Sequence, residues 1–336
     1  MDKGMWDDLP VYPCRSAPLF TSHSVSFYLS NSCLFVFFSF LSGIFRMLSG
    51  VWVLANCKVA FSLCSNRTKN LVKPLHKKRG NIFAEVRESG ISLDIRLWTY
   101  QGYQSLVLLL NSSSSLVKLE QGNKCWRKQG FTQSDWVAHF MNIFDKYEIQ
   151  KLQINNASLC HLDTVKQIIP KCQIILIREQ CSAELTKTAF LKLAPIAKKV
   201  QINNNPFDSE NDISELLTLN LKSVSFIASQ NSFELKLDDL LLSNIINLYI
   251  TTVNITGKEL KRFLKVWIKS SHRFYRPKFI KLRLSDEMEI SHVEVLKGIK
   301  YEIVRCNTCA FRLKRSDGKE LTVFFITRQL IDFTFE

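Results

Sequence analysis

Residues Leu240 to Leu284 read LLLSNIINLYITTVNITGKELKRFLKVWIKSSHRFYRPKFIKLRL, and this stretch decides the reading of the fold. It predicts a strand, a capped helix and a second strand. Thr256 precedes Glu259 by three residues, the reciprocal pairing that opens a helix by satisfying two free backbone N–H groups. Leu260, Phe263, Leu264, Trp267 and Ile268 then recur at helical spacing and form one apolar stripe. Lys258, Lys261, Arg262, Lys265 and Lys269 take the remaining face. The stretch holds no nucleophile, metal-ligand set or phosphate loop.

Working outward, the same unit recurs. Short strands centre near Leu152, Ile175, Val200, Val224 and Leu248, at spacings of 23, 25, 24 and 24 residues, and a sixth follows at Leu282. Helices are expected over Leu162–Ile169, Ala183–Leu193, Ile213–Leu219 and Gly257–Ser270. A strand-plus-helix unit of this length cannot bury its apolar side alone, so neighbours must stack. The fold class this predicts is α/β: a degenerate leucine-rich-repeat-like strand–helix solenoid, with short N-terminal helices and a C-terminal β hairpin. An ordinary α/β sheet that alternates evenly is the competing reading.

Domain boundaries follow from changes in pattern: 1–56, 57–80, 81–145, 146–290 and 291–336. In the 81–145 lead-in, Ile91 to Trp98 alternates as a half-buried strand, with Glu85 to Arg87 as its hairpin mate. Ser134 is expected to cap a helix whose Trp136, Phe140, Ile143 and Phe144 share a face. In the last segment, Tyr301–Val304 reads as a strand. Ala310–Lys314 and Leu321–Ile326 form a hairpin turned by Ser316-Asp317-Gly318-Lys319.

No charged residue lies between Arg15 and Arg46, and the gap includes the run CLFVFFSFLSGIF. Residues 25–45 are long and apolar enough to anchor in a membrane. The run is also rich in Ser and Phe, resembles translated pyrimidine-rich non-coding sequence, and contrasts abruptly in composition with the chain beyond Lys58. An atypical segment, a membrane anchor and a buried hairpin or helix all remain open for it.

The chain has 336 residues, 46% of them hydrophobic and 22% charged, which excludes extensive disorder. Its formal charge of +15 favours acidic partners. The 10 cysteines are irregularly spaced and read as reduced thiols of an intracellular protein, cytoplasmic or nuclear, with membrane anchoring as the alternative. Sequons at Asn66, Asn111, Asn156 and Asn254 are too short a pattern to outweigh this. Cys306-Asn307-Thr308-Cys309 lacks a second ligand pair for zinc, and Cys160-His161 are adjacent rather than one helical turn apart. No catalytic, cofactor-binding or metal site is expected, and the chain is read as a non-enzyme. The basic residues from Lys258 to Arg283, interleaved with Trp267, Phe274 and Tyr275, form a footprint for phosphate backbones. The helical phase of Trp267 points it to the core instead, so a nucleic-acid partner is not expected. Lys261, Arg262 and Lys265 remain a candidate basic partner face.

The helix Glu259-Leu260-Lys261-Arg262-Phe263-Leu264-Lys265-Val266-Trp267-Ile268-Lys269-Ser270-Ser271 resembles the "[DE]LNxFLKxWxxGS" signature of the nematode F-box-associated domain, type 2. Phe263, Leu264, Lys265 and Trp267 match; Arg262 replaces Asn and Ser270 replaces Gly. Asp135 to Phe144 is similar to the family's "WxxHxxxIF" helix. Phe311 to Gly318 resembles its C-terminal strand pair. Ser62 to Lys73 is similar to the last helix of an F-box, whereas the "FPLLxLP" opening has no counterpart. The resemblance implies a substrate-recognition subunit of an SCF-type ubiquitin ligase. Its partners would be a Skp1-type adaptor, with Val59, Phe61, Leu63 and Leu71 as contact candidates, and a target protein of unknown identity. Leu260, Phe263, Leu264 and Trp267 would be structural.

Overall fold

In the computed structural model, the described residues are 62–63, 69–70, 80–99, 102–111, 116–119, 125–206, 210–227, 232–269, 275–305 and 309–336. The predicted 1–56 segment, and with it the run at 25–45, lies outside them. So does most of the predicted 57–80 segment, of which only residues 62–63 and 69–70, as helical, and Gly80 are described.

The lead-in is an antiparallel meander: β1 (Gly80–Arg87), β2 (Gly90–Thr99), β3 (Gly102–Asn111), β4 (Leu116–Leu119) and β5 (Cys125–Arg127). The β1–β2 hairpin turns where Ser89-Gly90 predicts it, with Gly90 at φ 143°. Strands β3 to β5 go beyond the sequence-based expectation, because Leu106 to Leu110 is a continuous apolar run without strict alternation. Helix α1 (Gln133–Ile143) comes next. Its cap is Thr132, which exchanges hydrogen bonds with Asp135, so the expectation for Ser134 is corrected by two positions. The alternating unit then runs through β6 (Ile149–Ile154), α2 (His161–Ile168), β7 (Cys172–Ile177), α3 (Ala183–Leu193), β8 (Ala197–Ile202), α4 (Glu210–Leu217) and β9 (Ser223–Phe226). Next come β10 (Phe233–Glu234), α5 (Leu237–Leu242), β11 (Asn247–Asn254), α6 (Gly257–Lys269) and β12 (Phe279–Leu284). Leu240 thus belongs to a helix, not to the start of a strand.

Strands β6, β7, β8, β9, β11 and β12 are parallel, and each is hydrogen-bonded to the next in chain order. Parallel neighbours need a long crossover, and the intervening helices supply it. The predicted strand centres are direct register partners: Leu152 pairs with Ile175, Ile175 with Val200, Val200 with Val224 and Val224 with Leu248. The sixth partner is Ile280, two residues before the expected Leu282. All these side chains are buried, as are Ile154, Ile177, Ile202, Phe226, Ile250 and Leu282 in the adjacent row. Each such aliphatic contributes about 1.5–3 kcal/mol by leaving water. Both rows share one core with the helix stripes, including Leu162, Leu185, Phe190, Leu216 and Leu260.

The C-terminal segment is larger than the predicted hairpin. Helix α7 (His292–Leu296) leads to β13 (Glu302–Arg305), β14 (Cys309–Lys314), β15 (Glu320–Thr327) and β16 (Leu330–Phe335). The β14–β15 turn is the expected one, with Gly318 at φ 88°. Strand β16, absent from the sequence-based expectation, returns to pair antiparallel with β12, so the end of the parallel run is covered. Among the described residues the strands form one sixteen-stranded sheet, ending at β13 on one side and β5 on the other.

Candidate protein-interaction surface

Helix α6 starts as its sequence predicts. The Glu259 carboxylate accepts from the Thr256 N–H at 2.8 Å and hydroxyl at 2.9 Å, and the Glu259 N–H donates to the Thr256 hydroxyl at 3.2 Å. Leu260, Phe263, Leu264 and Trp267 are buried and Ile268 is partly buried. Phe263 packs edge-on against Phe333, and Trp267 lies near Phe335 of β16. The Arg315 guanidinium sits 5.4 Å from the Trp267 ring centroid. The side chains of Leu260, Phe263, Leu264 and Trp267 face the core, and Trp267 is not presented for base stacking. Tyr275 donates its hydroxyl to the Leu240 carbonyl at 2.6 Å, and burial pushes its ionisation upward. Phe274 lies outside the described residues.

The polar side of α6 is free of such ties. Arg262 and Lys265 are exposed and Lys261 is half-buried. Among the described residues, none of these three pairs with a carboxylate, and the acid on the helix, Glu259, is engaged in the cap. Like charges three and four residues apart destabilise an isolated helix by a few tenths of a kcal/mol each, roughly 0.2–0.5 kcal/mol per pair. Burial of the apolar stripe holds the face in place against that repulsion.

A second surface lies on the side of the sheet opposite the buried rows. Because side chains alternate along a strand, one row runs Phe83, Lys151, Ile174, Lys199, Ser223, Asn247 and Phe279 across neighbouring strands. The next row passes through Glu85, Gln153, Leu176, Gln201, Ser225, Tyr249, Lys281 and Asp332. Most of these are half-buried, with Leu176, Ser225 and Asp332 more deeply placed. Phe83 lies under the Arg96 guanidinium at 4.4 Å from the ring centroid, with the Lys151 ammonium at 5.9 Å. Burial raises the Asp332 carboxyl above the usual carboxylate range, opposed by Lys281 at 3.4 Å. At the strand entrances Glu148 accepts from Gln173 at 2.7 Å and from Lys198, which keep it below its ordinary value. This face mixes cations, amides and aromatics, and no local sequence motif marks it. The signal was available in the residues flanking each strand centre, but only the strand register turns them into rows.

Of the adaptor-contact candidates, Val59, Phe61 and Leu71 lie outside the described residues. Leu63 is partly buried against the core. Its neighbour Ser62 is buried and hydrogen-bonds His139 Nε2 of α1 at 2.9 Å. His139 is enclosed by Phe131, Trp136 and Phe140. Burial, aided by Lys69 and Lys128, lowers its pKa to about 4. Residues 62–63 and the lead-in helix thus meet at a neutral buried histidine. Elsewhere, Cys309 is exposed on β14, Cys306 lies outside the described residues, and burial pushes the Cys172 thiol up to about 12. No helix among the described residues is long and apolar enough to cross a membrane.

Part of the alternating strand–helix region is similar to a known family. Residues 197–274, from β8 past α6, match the family described as F-box associated. That stretch is therefore similar to the F-box-associated family. The chain is also similar to the F-box associated domain-containing protein sdz-33 of Caenorhabditis elegans, 22% identical over 205 residues, which cover 58% of this chain and 61% of that protein. The chain thus spans about three fifths of that relative's length. No solved structure matches it. The matched family residues include all of α6, whereas the lead-in helix, the C-terminal strand pair and residues 57–80 lie outside them.

Proposed function

We propose that this chain is a non-catalytic recognition subunit of an SCF-type ubiquitin ligase, holding a target protein on its sheet. The observation that carries the reading is the F-box-associated match over residues 197–274, falling on strands whose register aligns one face for burial and leaves the other polar and aromatic. A rigid platform of this kind positions side chains from many strands at once, which suits recognition of an extended protein surface. The strand–helix units act as a leucine-rich-repeat-like solenoid, with β16 as the closing strand. Residues 57–80 tether the platform to a Skp1-type adaptor, and ubiquitin transfer belongs to other subunits.

Co-precipitation of the full chain with a purified Skp1-type adaptor tests the ligase role. Retention lost on Leu63→Glu, with the far-UV spectrum unchanged, supports it; no retention above background removes the ligase role. A second reading is favoured by the family match itself, which covers the F-box-associated segment alone: an interaction module outside any ligase, held at a membrane by residues 25–45. Target capture without adaptor binding favours that module. Recovery of the chain in the supernatant of a high-speed spin removes the anchor.

A further inference from the structure

Strand β13 ends the sheet and is bonded only to β14, so among the described residues its outer backbone groups have no strand partner. It reads Glu302-Ile303-Val304-Arg305, with an irregular register against β14, and its central pair is apolar and open: Ile303 is 62% exposed, and Val304 and Tyr301, just before the strand, are exposed as well. Protein edges are usually blunted by charge, proline, a bulge or a covering element, because an open apolar edge pairs with other chains; here the charged residues stand at the ends of the strand and leave Ile303 and Val304 open between them. Beside β13 opens a cavity of about 730 Å³ lined chiefly by His292, Leu296, Ile299, Tyr301, Ile303 and Phe311. Its floor is aromatic, with His292 stacked on Phe311 at 5.4 Å and Tyr301 edge-on to the same ring at 5.2 Å. Among the described residues Lys297 is the one lining side chain of fixed charge, and the exposed Lys300 and Glu302 flank Tyr301 outside the lining.

We propose that β13 and this cavity take an extended peptide segment of a partner protein, added to the sheet as a further strand. The bare edge selects an extended backbone, since only that conformation meets its N–H and C=O groups in register. Alternate residues of such a strand face one side. One aliphatic or aromatic side chain therefore enters the cavity while the next points away. Lys297 selects an acidic residue next to that anchor, because among the described residues the cavity lining offers no carboxylate to neutralise it. This site is separate from the sheet-face rows and does not rest on the ligase reading.

Selection of a displayed library of random dodecapeptides on the full-length chain tests it. The expected consensus alternates apolar residues with at least one Asp or Glu beside the anchor. A selected synthetic peptide should slow alkylation of the exposed Cys309, which lines the cavity, by about tenfold at tenfold excess over Kd. Cys160, exposed on another element, should react at an unchanged rate and serves as the control. Ile303→Lys alters an exposed side chain, so the fold should persist while peptide binding and Cys309 protection are both lost. Peptides that bind without protecting Cys309, or a consensus that is basic or proline-rich, would overturn the proposal. Self-association by sedimentation equilibrium that Ile303→Lys abolishes would assign the edge to a second copy of the chain and overturn it as well.

Discussion

Protonating His139 means placing a charge among Phe131, Trp136 and Phe140 beside Ser62. The unfolded chain takes that proton near pH 6.5, whereas the folded protein resists it until about pH 4. Stability from this group is therefore fully present above pH 6.5 and is lost as pH falls towards 4, by roughly 3 kcal/mol in all. Urea unfolding of wild type and His139→Gln at pH 7.5 and pH 4.5 measures this. The substitution should cost stability at the higher pH and flatten the loss between the two. An equal pH slope in both proteins would remove His139 as the cause. At the start of α6, Thr256→Ala leaves Glu259 without its reciprocal partner and should cost about 1 kcal/mol in the same assay. Trp267 is a residue whose role was legible from its helical phase alone: the stripe predicted burial, and the ring is 2% exposed. The cap of α1 was not legible to the same degree. Thr132 and Ser134 are both good capping residues, and only the backbone at Thr132, extended at φ −91° and ψ 173°, separates them.

At the scale of elements, α6 combines a stripe that must be buried with a face that repels itself. Changing Lys261, Arg262 and Lys265 together to Ala removes like charges and adds good helix formers. The thermal midpoint of this variant should be unchanged or a few degrees higher, since about 1 kcal/mol shifts such a midpoint by roughly 2–4 °C in a chain of this size. If the face docks an acidic partner, that binding should weaken while the midpoint does not fall. A clear drop in the midpoint would show that the lysine and arginine stems support packing, as long cationic side chains can. The strand centres were legible because β-branched and leucine residues recur in phase with the units. Strand β3 and helix α5 were not, since short apolar runs such as LVLLL and LDDLLL carry no period that distinguishes strand from helix. Their identities follow from pairing: β3 bonds to β2 over its whole length, and α5 fills the crossover between β9 and β11.

For the whole molecule, a sheet in which each strand touches only its neighbours has no central hub. Local opening should therefore begin at the ends, where a strand has one partner. Native-state hydrogen exchange should show amides of β5 and β13 exchanging well before those of β7, β8 and β9. Uniform protection across all strands would mean that the sheet opens as a unit. Strand β16 is the exception among the late elements: it lies between β15 and β12 and bears Phe333 against Phe263, so it should exchange with the interior strands.

The repeat, the helix cap, the buried stripe and the family resemblance over α6 were determined by the sequence, because each depends on spacing within a few residues or on even recurrence of one unit. Which strands adjoin, that β16 closes the parallel run, and which half-buried side chains line up on the second face were decided only by the tertiary structure. Those relations join residues far apart in the chain, such as Lys281 with Asp332 and Ser62 with His139. Local chemistry cannot specify such partners; they emerge when the apolar rows of successive units find a common register.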